Sequence, residues 1–167
     1  TFEFRRWKDL PTTKVSMGET EQDSFISLKV NSVDYCNQLP ESISESSTFR
    51  AWGNSDEYAL GNGMVYAKIS FDITNLTQTE IKLADNELFN VILDYNDGFR
   101  FATYHKDACY FETDSSEITI LDGSGGVNVG IPVLPLETKA FDLYLECPAT
   151  VSTDSKGKVN IDFISSY

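Results

Sequence analysis

His105 and Cys109 are the residues whose types could support covalent catalysis, because a thiolate nucleophile needs a base such as histidine beside it. On an extended strand, four residues separate two Cα atoms by about 13 Å, which is too far for a direct contact. No third residue that would orient the histidine is evident, and no G-x-S-x-G nucleophile elbow occurs. The sequence therefore predicts a protein that is not an enzyme, with a Cys/His-dependent enzyme as one alternative.

The oxygen atoms of Asp94, Asn96 and Asp97 could surround a calcium ion, which prefers oxygen ligands. This segment lacks the downstream glutamate of an EF-hand loop, and the residues around it alternate as in strands. The run Asn96-Asp97-Gly98 is typical of a β-hairpin turn, since these residue types tolerate the positive φ that tight turns require. We therefore expect a hairpin, with a calcium-dependent adhesin that uses Asp94 and Asp97 as a further alternative.

A long polar segment, residues 36–62, contains aromatic side chains among residues that favour loops. Aromatic residues in such a loop need either burial or a ligand, and rigid scaffolds present recognition residues on loops. We expect a binding surface that combines this loop with the tip of the predicted hairpin. The predicted binding residues are Phe49, Trp52, Tyr58, Asn96 and Asp97.

The chain carries 26 acidic and 13 basic residues, which gives a formal net charge of −13. A surface of this charge repels phosphate backbones and anionic membranes, so nucleic acid is excluded as a partner. The chain has one histidine and no paired Cys-x-x-Cys motifs. We therefore expect no metal site and no cofactor. The chain begins at Thr1, and we expect that a secretory or lipoprotein signal has been removed.

Cys36, Cys109 and Cys147 are too few and too widely spaced for a disulfide framework, and an odd number allows at most one bridge. We expect three reduced thiols. Cys147 ends an alternating run that begins at Phe141, so it is predicted to be a small residue of the core.

Apolar residues alternate strictly from Val65 to Ile73, which predicts a half-buried strand over residues 64–75. In the predicted strand 25–35 the apolar face switches after Val30, as in a β-bulge or a strand that changes sheets. Shorter alternating runs predict the remaining strands. These runs cover residues 88–95, 99–101, 108–121 (two strands), 127–131, 140–147 and 159–163.

Six to nine strands separated by frequent turns predict an all-β, antiparallel β-sandwich. Residues 140–147 and 159–163 are expected to pair with each other as the terminal strands. Residues 1–14, the net-basic part of the chain, are predicted to be an N-terminal tether or edge strand, and residues 15–167 the sandwich domain.

Several motifs occur in a recognisable order between residues 15 and 164. They are the turn Met17-Gly18-Glu19-Thr20 before a strand, the strand 66–75 ending in asparagine, Asp97-Gly98-Phe99, Leu134-Pro135-Leu136-Glu137 and Cys147-Pro148. In this order they resemble the immunoglobulin-like domains of uncharacterised secreted lipoproteins from Gram-positive bacteria. The chain departs from that pattern at Leu136, where a glycine often follows the proline.

The resemblance implies an immunoglobulin-like sandwich with long inserted loops, located outside the cytoplasm as a secreted or lipid-anchored protein. It supplies no catalytic residue. We therefore expect a noncatalytic binding or spacer module at the bacterial cell surface, whose partner is a cell-surface protein or a glycan. Contact with the membrane is expected only through an N-terminal lipid anchor that has been removed.

Overall fold

The structure, a computed structural model, describes residues 2–6, 13–22, 24–41, 60–83, 90–102, 109–113, 118–121 and 131–165. Within these ranges the chain forms thirteen strands and one short helix, and no helix there has the length and apolar character of a membrane span. The elements are β1 (Phe2–Arg6), β2 (Thr13–Val15), β3 (Thr20–Gln22), β4 (Ile26–Cys36), β5 (Met64–Asn75), β6 (Ile81–Leu83), β7 (Asn90–Tyr95), β8 (Phe99–Ala102), β9 (Cys109–Thr113), β10 (Ile118–Leu121), β11 (Ile131–Val133), β12 (Thr138–Pro148), α1 (Ala149–Thr153) and β13 (Val159–Ser165).

The strands form a five-stranded sheet, a six-stranded sheet and a two-stranded ribbon. The strand order is β2-β1-β13-β7-β8 in the first, β10-β9-β12-β5-β4-β3 in the second and β11-β6 in the ribbon. All neighbouring strands pair antiparallel except β1 and β13, which are parallel. The predicted all-β sandwich is confirmed. More strands form than the six to nine expected, because three-residue strands contain too few alternations to be recognised.

The N-terminal residues belong to the five-stranded sheet. β1 lies between β2 and β13, with Phe2 opposite Ile161 and Phe4 opposite Phe163. β2 is the edge strand, and it extends across the predicted boundary between residues 14 and 15. That division of the chain stays a prediction.

The expected pairing of the last two long strands is wrong. β12 pairs with β5 and β9, whereas β13 pairs with β1 and β7 in the other sheet. Helix α1 and the turn after it connect β12 to β13, and so carry the chain from one sheet to the other. Alternation identifies a strand but does not say to which sheet it belongs.

The two longest predicted strands are confirmed in detail. β5 spans the predicted residues 64–75, and its inward-facing residues from Val65 to Ile73 are buried. In β4, Val30 lies opposite Phe71 and Ser32 lies opposite Ser70, so one extra residue is inserted between them. This irregularity is the predicted β-bulge, and it explains why the apolar face switches after Val30.

The core joins the two sheets through aromatic and aliphatic side chains. Phe71 of β5 stacks on Phe141 at a centroid distance of 5.6 Å and meets the edge of Phe163 at 5.3 Å. Cys147 is fully buried, which confirms its predicted place in the core, and burial raises the pKa of its thiol to about 11. Cys36 and Cys147 are both free thiols, while the side chain of Cys109 is outside the described part of the structure.

A strained turn precedes β12. Leu136 has a φ of 63°, in the left-handed region that costs an L-residue with a Cβ about 1–2 kcal/mol. Glu137 N donates to Leu134 O at 3.0 Å and Leu136 N donates to Asn75 O at 2.8 Å, which holds the turn in this conformation.

Replacing Leu136 by glycine is expected to raise the free energy of unfolding by about 0.5–1 kcal/mol. Glycine removes the left-handed strain, and little burial is lost because 78% of Leu136 is exposed. Urea denaturation of the two proteins measures the change. Leu136→Ala is the matched control, since it removes the exposed side chain but keeps the strained Cβ, and it should give no gain. A less stable Leu136→Gly protein would contradict the assigned strain.

Candidate binding surface

The predicted hairpin is present between β7 and β8. Tyr95 lies opposite Phe99, and Asn96 and Asp97 each have a φ of 54°. Gly98 N donates to Tyr95 O at 3.4 Å. The left-handed conformation expected of such a turn is therefore taken by Asn96 and Asp97, the two residues predicted to form its tip.

A second loop, the connection from α1 to β13, is bonded to this hairpin tip. Asn96 N donates to Lys158 O at 2.9 Å, and Lys158 N donates to Asn96 Oδ1 at 2.9 Å. The Lys158 ammonium donates to both carboxylate oxygens of Asp97, at 3.1 and 3.2 Å. Asn160 Nδ2 donates to Asp97 Oδ1 at 3.3 Å. The two loops thus form one surface.

Beneath the tip, the Tyr95 hydroxyl donates a hydrogen bond to the Asp154 carboxylate. This bond, together with backbone N–H groups of Lys156 and Gly157, lowers the pKa of Asp154 below its usual value. The same bond is the largest cause of the raised pKa of Tyr95. The hairpin and the second loop are therefore joined by side-chain as well as main-chain contacts.

An exposed aromatic ring completes this surface. Phe99 is 63% exposed, and its ring centroid lies 6.3 Å from that of Tyr95. We call the exposed residues Asn96, Asp97, Phe99 and Lys158 the loop-end surface. It offers an apolar ring, a carboxylate, an ammonium group and an amide on one surface.

The carboxylates considered for calcium lie beside cations. Asp94 Oδ2 is 3.5 Å from Arg100 Nε, and Arg100 Nη2 contacts the buried Asp162 Oδ2 at 2.8 Å. Asp94 Oδ1 is buried and has no hydrogen-bond partner within the described ranges of the chain. The described residues contain no group of three or more His, Cys, Asp or Glu residues arranged to hold a metal ion. Calcium-dependent adhesion stays a prediction.

No protein-family model matches this chain, and no curated protein does so either. Among solved structures, the chain is similar to an uncharacterized beta-sandwich protein from Clostridium difficile, with a TM-score of 0.57 and 21% sequence identity. The alignment covers 98% of this chain and 95% of that chain. The shared fold is a β-sandwich. At this identity the similarity establishes the fold alone.

Four other predicted site residues lie outside the described part of the structure. They are Phe49, Trp52, Tyr58 and His105. The positions on either side of the segment 42–59 are nevertheless described. β4 ends at Cys36 opposite Tyr66 near the start of β5, and Ala149 N of α1 donates to Gly63 O at 2.9 Å. Both flanks of that segment therefore lie at the end of the sandwich that also carries α1 and the hairpin tip.

Sequence reasoning missed Phe99 and Lys158 as parts of the surface. Phe99 was expected only as the start of the return strand. Lys158 lies in a run of small and charged residues without a recognisable pattern, about sixty positions after the hairpin. The pairing of β7 with β13 brings the two together, and it is not visible in local sequence.

Replacing Gly157 by alanine is expected to lower the free energy of unfolding by about 1–3 kcal/mol. A Cβ at this position would lie 2.4 Å from Tyr95 Cε2, so the ring bonded to Asp154 would have to move. Urea denaturation measures the loss. Gly98→Ala is the matched control on the same surface, because its nearest neighbour would be Asn96 O at 3.9 Å. Equal stability of the two variants would show that the close approach at Gly157 is unimportant.

Proposed function

We propose that this β-sandwich is an extracytoplasmic, immunoglobulin-like module that binds a cell-surface protein or glycan without catalysing a reaction. The observation that carries the proposal is the loop-end surface, in which two loops are joined by the hydrogen bonds from Asn96 N to Lys158 O and from Lys158 N to Asn96 Oδ1, and by the ion pair of Asp97 with Lys158. The resemblance to domains of secreted lipoproteins supports the location.

A surface that is ordered before it binds loses less conformational entropy on association than a mobile loop does. Phe99 supplies apolar contact area, while Asp97 and Lys158 supply polar groups that can select a partner. The net charge of −13 favours a neutral or basic partner over an acidic one. These properties together favour recognition of an uncharged glycan or a basic protein surface.

Thermal unfolding in the presence of defined additives tests this proposal. The panel contains soluble cell-wall glycan fragments, basic peptides, Ca²⁺ and a chelator. A ligand of the folded state at one hundred times its Kd adds about 2.7 kcal/mol of stability, which raises the melting temperature by several degrees. We expect such a shift with a glycan or a basic peptide, and we expect Phe99→Ala to abolish it.

Leu134→Ala is the matched control, because Leu134 is also an exposed apolar residue but lies in the turn that contacts the far end of β5. A shift that survives in Phe99→Ala and Lys158→Ala would reject the loop-end surface as the site. A shift with Ca²⁺ that the chelator reverses would favour the calcium-dependent adhesin. A panel without any shift would favour a spacer role over binding.

A further inference from the structure

Among the residues that the structure describes, one edge of β4 is largely unpaired. Along its inner edge β4 pairs with β5 from Ile26 to Cys36, whereas β3 covers only Ser27–Lys29 on the outer edge. One position beyond the end of this pairing with β3, Gly18 N donates to Val30 O at 2.8 Å. In the part of the chain that the structure describes, no strand pairs with residues 31–36 on this side. The open edge is six residues long, about 20 Å, which is the length of an average strand.

An apolar cleft between the two sheets opens beside this edge. Val33 and Tyr35 of β4 lie opposite Ile69 and Ala67, whose side chains are fully buried, so both face the interior of the sandwich. Val33 and Tyr35 are nevertheless only half-buried, because the sheet ends beside them. With Met17 and with Val159 and Ile161 of the other sheet they line an open cleft of about 200 Å³.

Unpaired backbone N–H and C=O groups next to apolar pockets are the arrangement by which an extended peptide adds to a sheet. Main-chain hydrogen bonds supply affinity, and every second side chain enters the pockets. We propose that the outer edge of β4 is a second binding site, which takes an extended segment of a partner protein as an added antiparallel or parallel strand. Apolar residues at alternate positions of that segment fill the cleft.

The charges around the edge indicate the kind of segment that fits. Glu19 and Asp34 are exposed carboxylates on the turn and on the strand that border the cleft. Lys68 of β5 lies opposite Asp34, but its ammonium contacts Asp142 at 3.0 Å. Lys158, next to the cleft-lining Val159, contacts Asp97 at 3.1 Å. The outward-facing positions of the bound segment are therefore Lys or Arg. A second copy of this chain fits poorly, since each copy carries a net charge of −13.

Selection from a random decapeptide display library, panned against the immobilised protein, tests the proposal. We expect the selected peptides to alternate apolar with basic residues, and we expect a labelled selected peptide to bind Val33→Lys at least tenfold more weakly. The second variant, Met17→Lys, places the same charge at a position that is already 38% exposed, so it tests the site even where Val33→Lys fails to fold. Amide hydrogen exchange of residues 32–36 should slow when the peptide is bound.

Leu134→Lys is the control, since it makes the same apolar-to-lysine change at an exposed residue outside the cleft, and it should bind the peptide as the unmodified protein does. Failure to enrich any peptide would overturn the proposal, as would unchanged binding to the folded Val33→Lys and Met17→Lys proteins. Loss of binding in Phe99→Ala but not in Met17→Lys would place the peptide on the loop-end surface. The experiment therefore tests the two proposed sites independently of each other.

Discussion

Replacing Asn75 by alanine is expected to lower the free energy of unfolding by about 3–4 kcal/mol. Asn75 is fully buried at the end of β5, and its side chain makes four hydrogen bonds. Its Nδ2 donates to Thr79 O and to Val133 O, each at 2.8 Å. Its Oδ1 accepts from Thr77 N at 2.8 Å and from Thr77 Oγ1 at 2.7 Å. Alanine would leave the buried Val133 O without the Nδ2 donor, which costs about 1–3 kcal/mol, and would remove three further, partly buried hydrogen bonds.

The cost is large because Asn75 connects separate parts of the sandwich. Its side chain joins the turn after β5 to β11. The backbone bond from Asn75 N to Glu137 O at 3.0 Å, in front of β12, remains in the alanine variant. Urea denaturation measures the loss. Thr74→Ala is the matched control, because the neighbouring Thr74 faces outward and its hydroxyl bonds to the exposed Thr138 hydroxyl at 2.7 Å. We expect the control to lose less than about 1 kcal/mol; a similarly small loss for Asn75→Ala would contradict this role.

The burial of Asn75 also decides between two interpretations of its sequence context. Asn75-Leu76-Thr77 matches the acceptor pattern for N-glycosylation, which requires an accessible asparagine amide. In the folded protein that amide is buried and fully hydrogen-bonded, so the same three residues act as a structural turn. The pattern alone could not distinguish a modified residue from a buried one.

The strands and the bulge were predictable because they depend on local alternation. The bounds of β5 and the change of apolar face at Val30 both follow from period-two patterning. Which strands are neighbours was not predictable in the same way. β12 and β13 are consecutive long strands with similar alternation, and only the path of the chain through α1 places them in different sheets.

In the candidate site, too, the residues set by local sequence were predictable and those set by strand pairing were not. Asn96 and Asp97 could be identified because a hairpin turn demands residues that tolerate positive φ. Lys158 could not, since its contact with Asp97 depends on the register of β13 against β7. At Leu136 the residue type did not indicate the conformation of the turn. The backbone is left-handed there although this chain lacks the glycine that such turns favour.

Replacing Phe71 by alanine is expected to have the largest effect of these substitutions, a loss of about 3–5 kcal/mol. Phe71 is 1% exposed and contacts aromatic rings in both sheets, Phe141 beside it and Phe163 across the sandwich. Alanine removes the buried ring and leaves a cavity that the surrounding strands cannot fill without shifting. Phe71→Leu is the matched control, since it retains most of the volume and should cost clearly less in the same urea denaturation experiment.

A double-mutant cycle extends this prediction to the contact between the sheets. Phe71 belongs to the six-stranded sheet and Phe163 to the five-stranded sheet, and their ring centroids are 5.3 Å apart. Residues in direct contact usually show a coupling energy of about 0.5–3 kcal/mol, whereas distant residues add independently. We therefore expect Phe71→Ala and Phe163→Ala together to destabilise the protein by less than the sum of the two single losses, because the second truncation removes a contact already lost. Strict additivity would mean that the two sheets do not meet at these rings.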